Sequence, residues 1–304
     1  MDIVILLLKQ NFIMFIYLMI GYFLCKKKLV SQQGCADIGK MLLYIIMPVA
    51  IFRSYVADFS WEIFEGLIVS FVAAVLSLLL SICVSRLLFS SDQAVERFGA
   101  AFSNAGFIGI PLVQMTLGGE NVIYISSFVA LLNILQWTYG VLAMTGDRQY
   151  ISFKKIRTNP IVISFLAGMA VFVMPVTFPE TIHGVIGTVS SMNGPLAMIV
   201  LGIYLGQIPL AELFTERIVY KCVVIRLIVI PALTILLMMV LPAEYLMIKL
   251  AVLIVASAPV GSNVAIFAQL FEQDYSRSVK EVCLSTLACI ITMPILIGIA
   301  SAIL

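Results

Sequence analysis

The feature that most constrains this chain is the recurrence of apolar runs, each about 20 residues long and nearly free of charge. An α-helix needs about 20 apolar residues to cross the hydrocarbon of a bilayer. Of the 304 residues, 62% are hydrophobic and only 11% are charged. A soluble domain carries about 25% charged residues, so the filling of one water-surrounded core cannot account for the excess. The runs place ten spans near 4–25, 37–56, 62–89, 96–117, 121–144, 159–177, 182–206, 217–241, 245–270 and 277–303. The expected class is therefore an all-α integral membrane protein. The first run is followed by Lys26, Lys27 and Lys28 rather than preceded by positive charge. This fits a retained first helix with its N-terminus outside, not a cleaved signal.

The basic residues test the span count. Fourteen of the 18 Lys and Arg fall in alternate connections: Lys26, Lys27, Lys28 and Lys40; Arg86 and Arg97; Arg148, Lys154, Lys155 and Arg157; Arg217 and Lys221; Arg277 and Lys280. The other connections carry Asp58, Glu62, Glu65, Glu120, Glu180 and Glu244. Positive charge stays on the cytoplasmic side. The expectation is a multi-pass protein of the cytoplasmic membrane with both termini extracellular. The basic clusters sit between apolar runs and imply no nucleic-acid partner.

The chain also looks internally repeated. Pro48 and Pro195 are 147 residues apart, and Pro111 and Pro259 are 148 apart. Both offsets are close to half the chain. Five spans per half is an odd number, so the second half would insert upside down, an arrangement common in secondary transporters. This divides the chain into a first repeat over 1–145, a short cytoplasmic connection over 146–158, and an inverted repeat over 159–304.

Two runs carry helix breakers near their middle. Span four reads Ser103-Asn-Ala-Gly-Phe-Ile-Gly-Ile-Pro111, and span nine reads Ser257-Ala-Pro-Val-Gly-Ser-Asn263. Proline removes a backbone donor and clashes with the preceding turn; glycine permits unwound backbone. The expected breaks are at Gly109 and Pro111 in one run, and at Pro259 and Gly261 in the other. Broken helices survive in a membrane only where protein or a wet cavity satisfies the freed backbone groups. Two breaks crossing there would present helix N-termini, which attract anions without any Lys or Arg. The candidate substrate-binding residues are Asn104, Asn133, Ser262, Asn263 and Thr286. An amide side chain offers four hydrogen-bonding sites, more than a neighbouring helix usually saturates.

Other residue types narrow the function. All 16 acidic residues fall at span ends or in connections on these boundaries, which argues against a cation/proton exchanger built on an intramembrane carboxylate. Arg226 lies inside span eight, where snorkelling to the cytoplasmic face is expected. Arg53 is expected to face Asp58 or Glu62. The lone histidine, His183, falls at an outer boundary, and the six cysteines show no metal or redox spacing. No enzyme active site and no cofactor is expected.

Several segments, taken in order, resemble the auxin efflux carrier family, which includes plant PIN-type auxin carriers and bacterial malate and malonate permeases. They are Gly21-Tyr-Phe-Leu-Cys-Lys-Lys-Lys-Leu, Ile45-Ile-Met-Pro48, Asn104 with Gly-Ile-Pro111, Asn159-Pro160, Ala258-Pro259 through Phe267-Ala268, and Thr292-Met-Pro294. The resemblance implies ten transmembrane helices as two inverted five-helix repeats, with broken crossing helices 4 and 9, a fold of the sodium/proton-antiporter type. It implies a dimerising scaffold of spans 1, 2, 6 and 7, a transport domain of spans 3–5 and 8–10, and elevator-like alternating access. It places Asn104 on a substrate-contacting asparagine, Asn133 on a polar substrate-facing position, and Pro111 and Pro259 on crossover prolines. The long hydrophilic loop of the plant carriers is replaced here by a short connection, about Gly146 to Thr158. The polar residues Ser262, Asn263, Ser285 and Thr286 favour a small dicarboxylate over an indole. The expected function is secondary transport of a small carboxylate by a membrane-embedded homodimer; a sodium- or proton-coupled cation antiporter or symporter is the alternative.

Overall fold

The computed structural model describes residues 3–174 and 176–304. Among them every regular element is helical, and strand pairing is confined to one isolated bridge. Seven helices are long and apolar enough to cross a membrane, or eight if the bent pair Arg148–Arg157 and Pro160–Val173 counts as one span. In chain order the main helices are α1 (Ile3–Lys26), α2 (Gln33–Ser54), α3 (Trp61–Leu88), α4 (Ala94–Ala101), α5 (Ala105–Thr116), α6 (Gly119–Thr145), α7 (Pro160–Val173), α8 (Glu180–Gln207), α9 (Arg217–Met238), α10 (Leu246–Ala256), α11 (Asn263–Leu270) and α12 (Tyr275–Ile303). The pairs α4/α5 and α10/α11 are the runs expected to be broken, and each is interrupted.

The first helix shows why the bundle belongs in lipid. Leu7, Met14 and Leu18 are buried on its inner face, while Ile5, Leu8, Phe12, Ile16, Ile20 and Phe23 are exposed at three- and four-residue spacing on its outer face. A helix that is apolar all round needs an apolar environment on its outer side as well. The one buried amide, Asn11, donates to the Ile290 carbonyl at 3.2 Å and ties α1 to α12.

Against α8, the backbone of α1 makes direct contact. A Cβ on Gly21 would sit 2.0 Å from the Ile199 oxygen, and one on Gly202 would sit 1.9 Å from the Leu18 oxygen. Gly206 also lies close to Cys25, where an added Cβ would be 2.6 Å away. Small residues at four-residue spacing on both helices, Gly21 with Cys25 and Gly202 with Gly206, let the chains meet where only packing holds membrane helices together.

Three prolines inside these helices are accommodated by wide turns. The π-helical segments Leu42–Ile46, Ala105–Gly109 and Ile225–Val229 each end two residues before a proline: Pro48, Pro111 and Pro231. A proline cannot donate to the preceding turn and its ring presses on that turn's carbonyl. Widening the turn relieves both problems without ending the helix.

The packing predicts a steep penalty at the α1–α8 contact. Gly202→Val should lower stability by about 1–3 kcal/mol or more, read from the unfolding transition in detergent. Gly119→Ala, where an added Cβ meets nothing within 4 Å, should stay within about 0.5 kcal/mol of the parent.

Candidate functional site

The two breaks meet. Between α4 and α5 the chain is extended at Phe102, and between α10 and α11 it is unwound over 257–262. Ser103 and Val260 form an antiparallel bridge. The Asn104 amide donates to the Pro259 carbonyl at 2.7 Å, and the Gly261 amide donates to the Phe102 carbonyl at 3.0 Å. From the neighbouring helix, the Ser285 hydroxyl accepts the Val260 amide at 3.1 Å. Gly261 is required here, since a Cβ would lie 3.0 Å from the Ser103 oxygen.

Two helix ends at the crossing are met by side chains. Asn104 caps α5, with Oδ1 accepting from Phe107 N at 3.3 Å. At the end of α4, the Arg226 guanidinium donates through Nη1 to the Ala100 carbonyl at 3.0 Å. A cation at a helix C-terminus meets both an orphan carbonyl and the negative end of the dipole. Arg226 is only 1% exposed. It therefore does not snorkel to the surface as its position within an apolar run suggested; the broken helix supplies an acceptor inside.

A small cavity of about 20 Å³ lies at the crossing, roughly room for one water molecule. Its walls come from the starts of both second half-helices (Asn104, Gly106 and Phe107; Gly261, Ser262 and Asn263), together with Ser103, Asn133 and Gln136 and the apolar Leu43, Met47, Leu132 and Ile161. None of these side chains is charged. Asn263 Nδ2 donates to Gln136 Oε1 at 2.8 Å. Asn133 Nδ2 donates to the Val129 carbonyl at 2.8 Å, while its Oδ1 accepts from Asn159 Nδ2 at 3.4 Å. Asn104 Nδ2, Gln136 Nε2 and the Ser103 hydroxyl are buried with no hydrogen-bond partner. Two of the three are pure donors, and the hydroxyl serves as a third.

Four of the five expected binding residues thus share one cavity: Asn104, Asn133, Ser262 and Asn263. Thr286 does not join them. It lines a separate, mostly apolar cavity with Asn11, Ile108 and Cys289, and its helix neighbour Ser285 takes the place at the crossing. Of the expected break residues, Pro259 and Gly261 lie in the unwound segment. Gly109 and Pro111 lie instead in the helical stretch beyond Asn104, because the wide turn absorbs Pro111. Gly109 serves close packing, since its Cβ would meet Val255 at 2.8 Å. Pro111 and Pro259 are therefore not equivalent positions at the crossing, despite their offset. Gln136 and Ser103 were visible only as polar residues in apolar runs, and nothing in the sequence placed them opposite span nine.

Two further expectations change. Arg53 donates to the Gly187 carbonyl at 3.2 Å rather than facing Asp58 or Glu62. Acidic residues are not confined to exposed ends: Glu96 and Glu281 are buried, beside an ion-pair cluster at one end of the bundle. There Lys280 and Arg277 reach Glu216 at 2.7 and 2.9 Å, and Arg277 reaches Glu96 at 3.3 Å. In the connection before α9, the hydrogen bonds from Lys280 and then Arg277 hold the Glu216 carboxyl below the usual carboxylate range. His183 is exposed, and among the described residues no group of His, Cys, Asp and Glu is placed to hold a metal.

Two interrupted helices that meet around an uncharged, donor-lined cavity inside an apolar bundle are an arrangement found in membrane carriers. A family model described as membrane transport protein matches residues 6–158 and 149–297. The chain belongs to this family, that of the auxin efflux carriers, and is a membrane transporter. Among curated proteins, no relative matches it.

Gly261→Val should force the two segments apart, and hydrogen exchange at the Asn104 and Gly261 amides should rise; unchanged protection would remove the bridge as the clamp. The Glu216 ion pairs give a signed pH effect. A carboxyl depressed in the folded state contributes stability above its unfolded pKa of about 4.3 and loses that contribution as pH falls through the lower folded value. The melting temperature of the parent should therefore drop more steeply than that of Glu216→Gln on acidification below that range.

Proposed function

We propose that this protein is a secondary transporter of a small organic anion, a carboxylate of the malate or malonate kind, working across the cytoplasmic membrane. The observation that carries the reading is the pair of buried donors, Asn104 Nδ2 and Gln136 Nε2, left without acceptors on a cavity wall that bears no charge. A carboxylate is acceptor-only and would fill both. The starts of α5 and α11 at the same cavity add the positive ends of two helix dipoles. A cation-exchange reading would want an acidic group on that wall, and none of its lining residues supplies one.

The rest of the reading follows from the family and the charge pattern. The seven long helices, the bent pair at 148–173 and the broken pairs α4/α5 and α10/α11 together make ten spans, arranged as two inverted halves. Spans 1, 2, 6 and 7 form the scaffold of a homodimer. Spans 3–5 and 8–10 carry the crossing and move as a unit in an elevator. The basic connections face the cytoplasm and both termini face outward.

Uptake of radiolabelled malonate and malate into proteoliposomes tests this. A hydrogen bond to a charged group contributes about 1.5–3 kcal/mol, so Asn104→Ala should reduce apparent affinity by roughly tenfold or more, while loss of its cap on α5 should lower stability by about 0.5–2 kcal/mol. Undiminished uptake by that variant would take Asn104 out of the site.

A further inference from the structure

Glu281 is a fully buried carboxylate, at 0% exposure, and neither of its oxygens has a hydrogen-bond partner. It lies in α12, one helical turn before Ser285. Its Oε2 would sit 2.5 Å from a Cβ on Gly99, which lies on α4 one turn before Ser103. Ser285 and Ser103 are the two hydroxyl residues that meet Val260 at the crossing. Glu281 is therefore packed about 6 Å along its helix from the carrier site.

The groups facing it separate the two buried acids. Glu96, on α4, has Arg277 at 3.3 Å, and Arg277 is itself one-third exposed and bound to Glu216. Cys222, on α9, lines the same spot as Glu281 beside Gly99, while its thiol points to the Glu96 carbonyl at 3.8 Å. Arg226 donates to Ala100 through Nη1 alone, with Nε and Nη2 unpartnered but forming no ion pair with Glu281, and Lys280 is bound to Glu216. From the other helices packed on α12, Asn11 of α1 meets Ile290 and Lys249 of α10 reaches Leu304, both well beyond position 281. Glu96 thus has a counter-ion and Glu281 has none. An isolated ionised carboxylate in such a place would cost several kcal/mol, and a proton removes that cost.

We propose that Glu281 is a proton-binding site, neutral in this conformation, whose loading and release couple substrate movement to the proton gradient. The inference rests on the transport function above. Arg277 pairs with Glu96, and Cys222 shares the spot beside Gly99 with Glu281 while pointing to the Glu96 carbonyl, which marks a file from the ion-pair cluster to Glu281. A proton enters and leaves along that file and no other bond changes. While it is bound, α4 and α12 carry no net charge at this contact and can move together through lipid-facing surroundings. When the carboxyl ionises, the contact with Gly99 and Cys222 is left with an unpaired charge and opens.

Two measurements test this. Infrared difference spectra of the whole protein, without substrate, should show a protonated carboxylic acid at neutral pH that Glu281→Gln lacks and Glu96→Gln keeps. No such band, or a band lost in E96Q instead, overturns the assignment. In proteoliposomes with the membrane potential clamped at zero, one pH unit should concentrate labelled malonate or malate about tenfold for one proton per substrate. Glu281→Gln should equilibrate the label without concentrating it. A gradient response retained in E281Q, or absent in the parent, overturns the coupling role. Should neither carboxylate be taken up at all, the substrate class fails while the infrared comparison still decides Glu281.

Discussion

The structure hangs on two backbone hydrogen bonds, Asn104 to Pro259 and Gly261 to Phe102, made where two helices have stopped. Hydrocarbon offers no water to an interrupted backbone, so a break is stable only if something else takes up the freed groups. Here the two interruptions satisfy each other. Their mutual pairing explains why both occur, why Gly261 tolerates no side chain, and why Asn104 must turn its carbonyl and side-chain oxygen back into its own helix. What remains unpaired afterwards is a small set of side-chain donors, and those donors are the chemistry of the site.

Charge is handled by the same logic at a second level. Arg226 is buried because α4 ends inside the bundle and leaves a carbonyl to be met. Glu96 is buried because Arg277 follows it part of the way in. The cavity at the crossing is lined without full charges and lies at the starts of two half-helices. The ion-pair cluster joins α4, α12 and the connection before α9, so it ties together elements that flank the crossing.

Much of this was legible in the sequence. The apolar runs at Ile3–Lys26, Trp61–Leu88 and Tyr275–Ile303 became single long helices, because twenty-odd apolar residues have few other folds open to them. The asparagines at 104, 133 and 263 came together, because an amide in an apolar run must find a polar neighbour. What failed was the inference from breaker residues to break positions. Proline names a helical fault but not its remedy, and at Pro111 a wide turn supplied the remedy locally, so the interruption fell eight residues earlier, at Ser103. Likewise Arg226 and Glu281 looked peripheral because a linear pattern does not reveal which helix ends lie inside the bundle. Thr286 and Ser285 differ by one residue, and helical rotation sends one to the crossing and the other to a separate cavity.

The wide turns have a consequence for the chain's tolerance of change. A π turn is an α-helix holding one surplus residue. Deleting one residue from 42–46 or 225–229 would tighten that turn to the ordinary pitch and leave every face beyond it in its present direction. The same deletion elsewhere in a long helix would rotate all that follows by about 100°. The tightening would also bring back the clash of Pro48 or Pro231 with the preceding carbonyl, so each proline holds the surplus residue in place and keeps the helix at its present length.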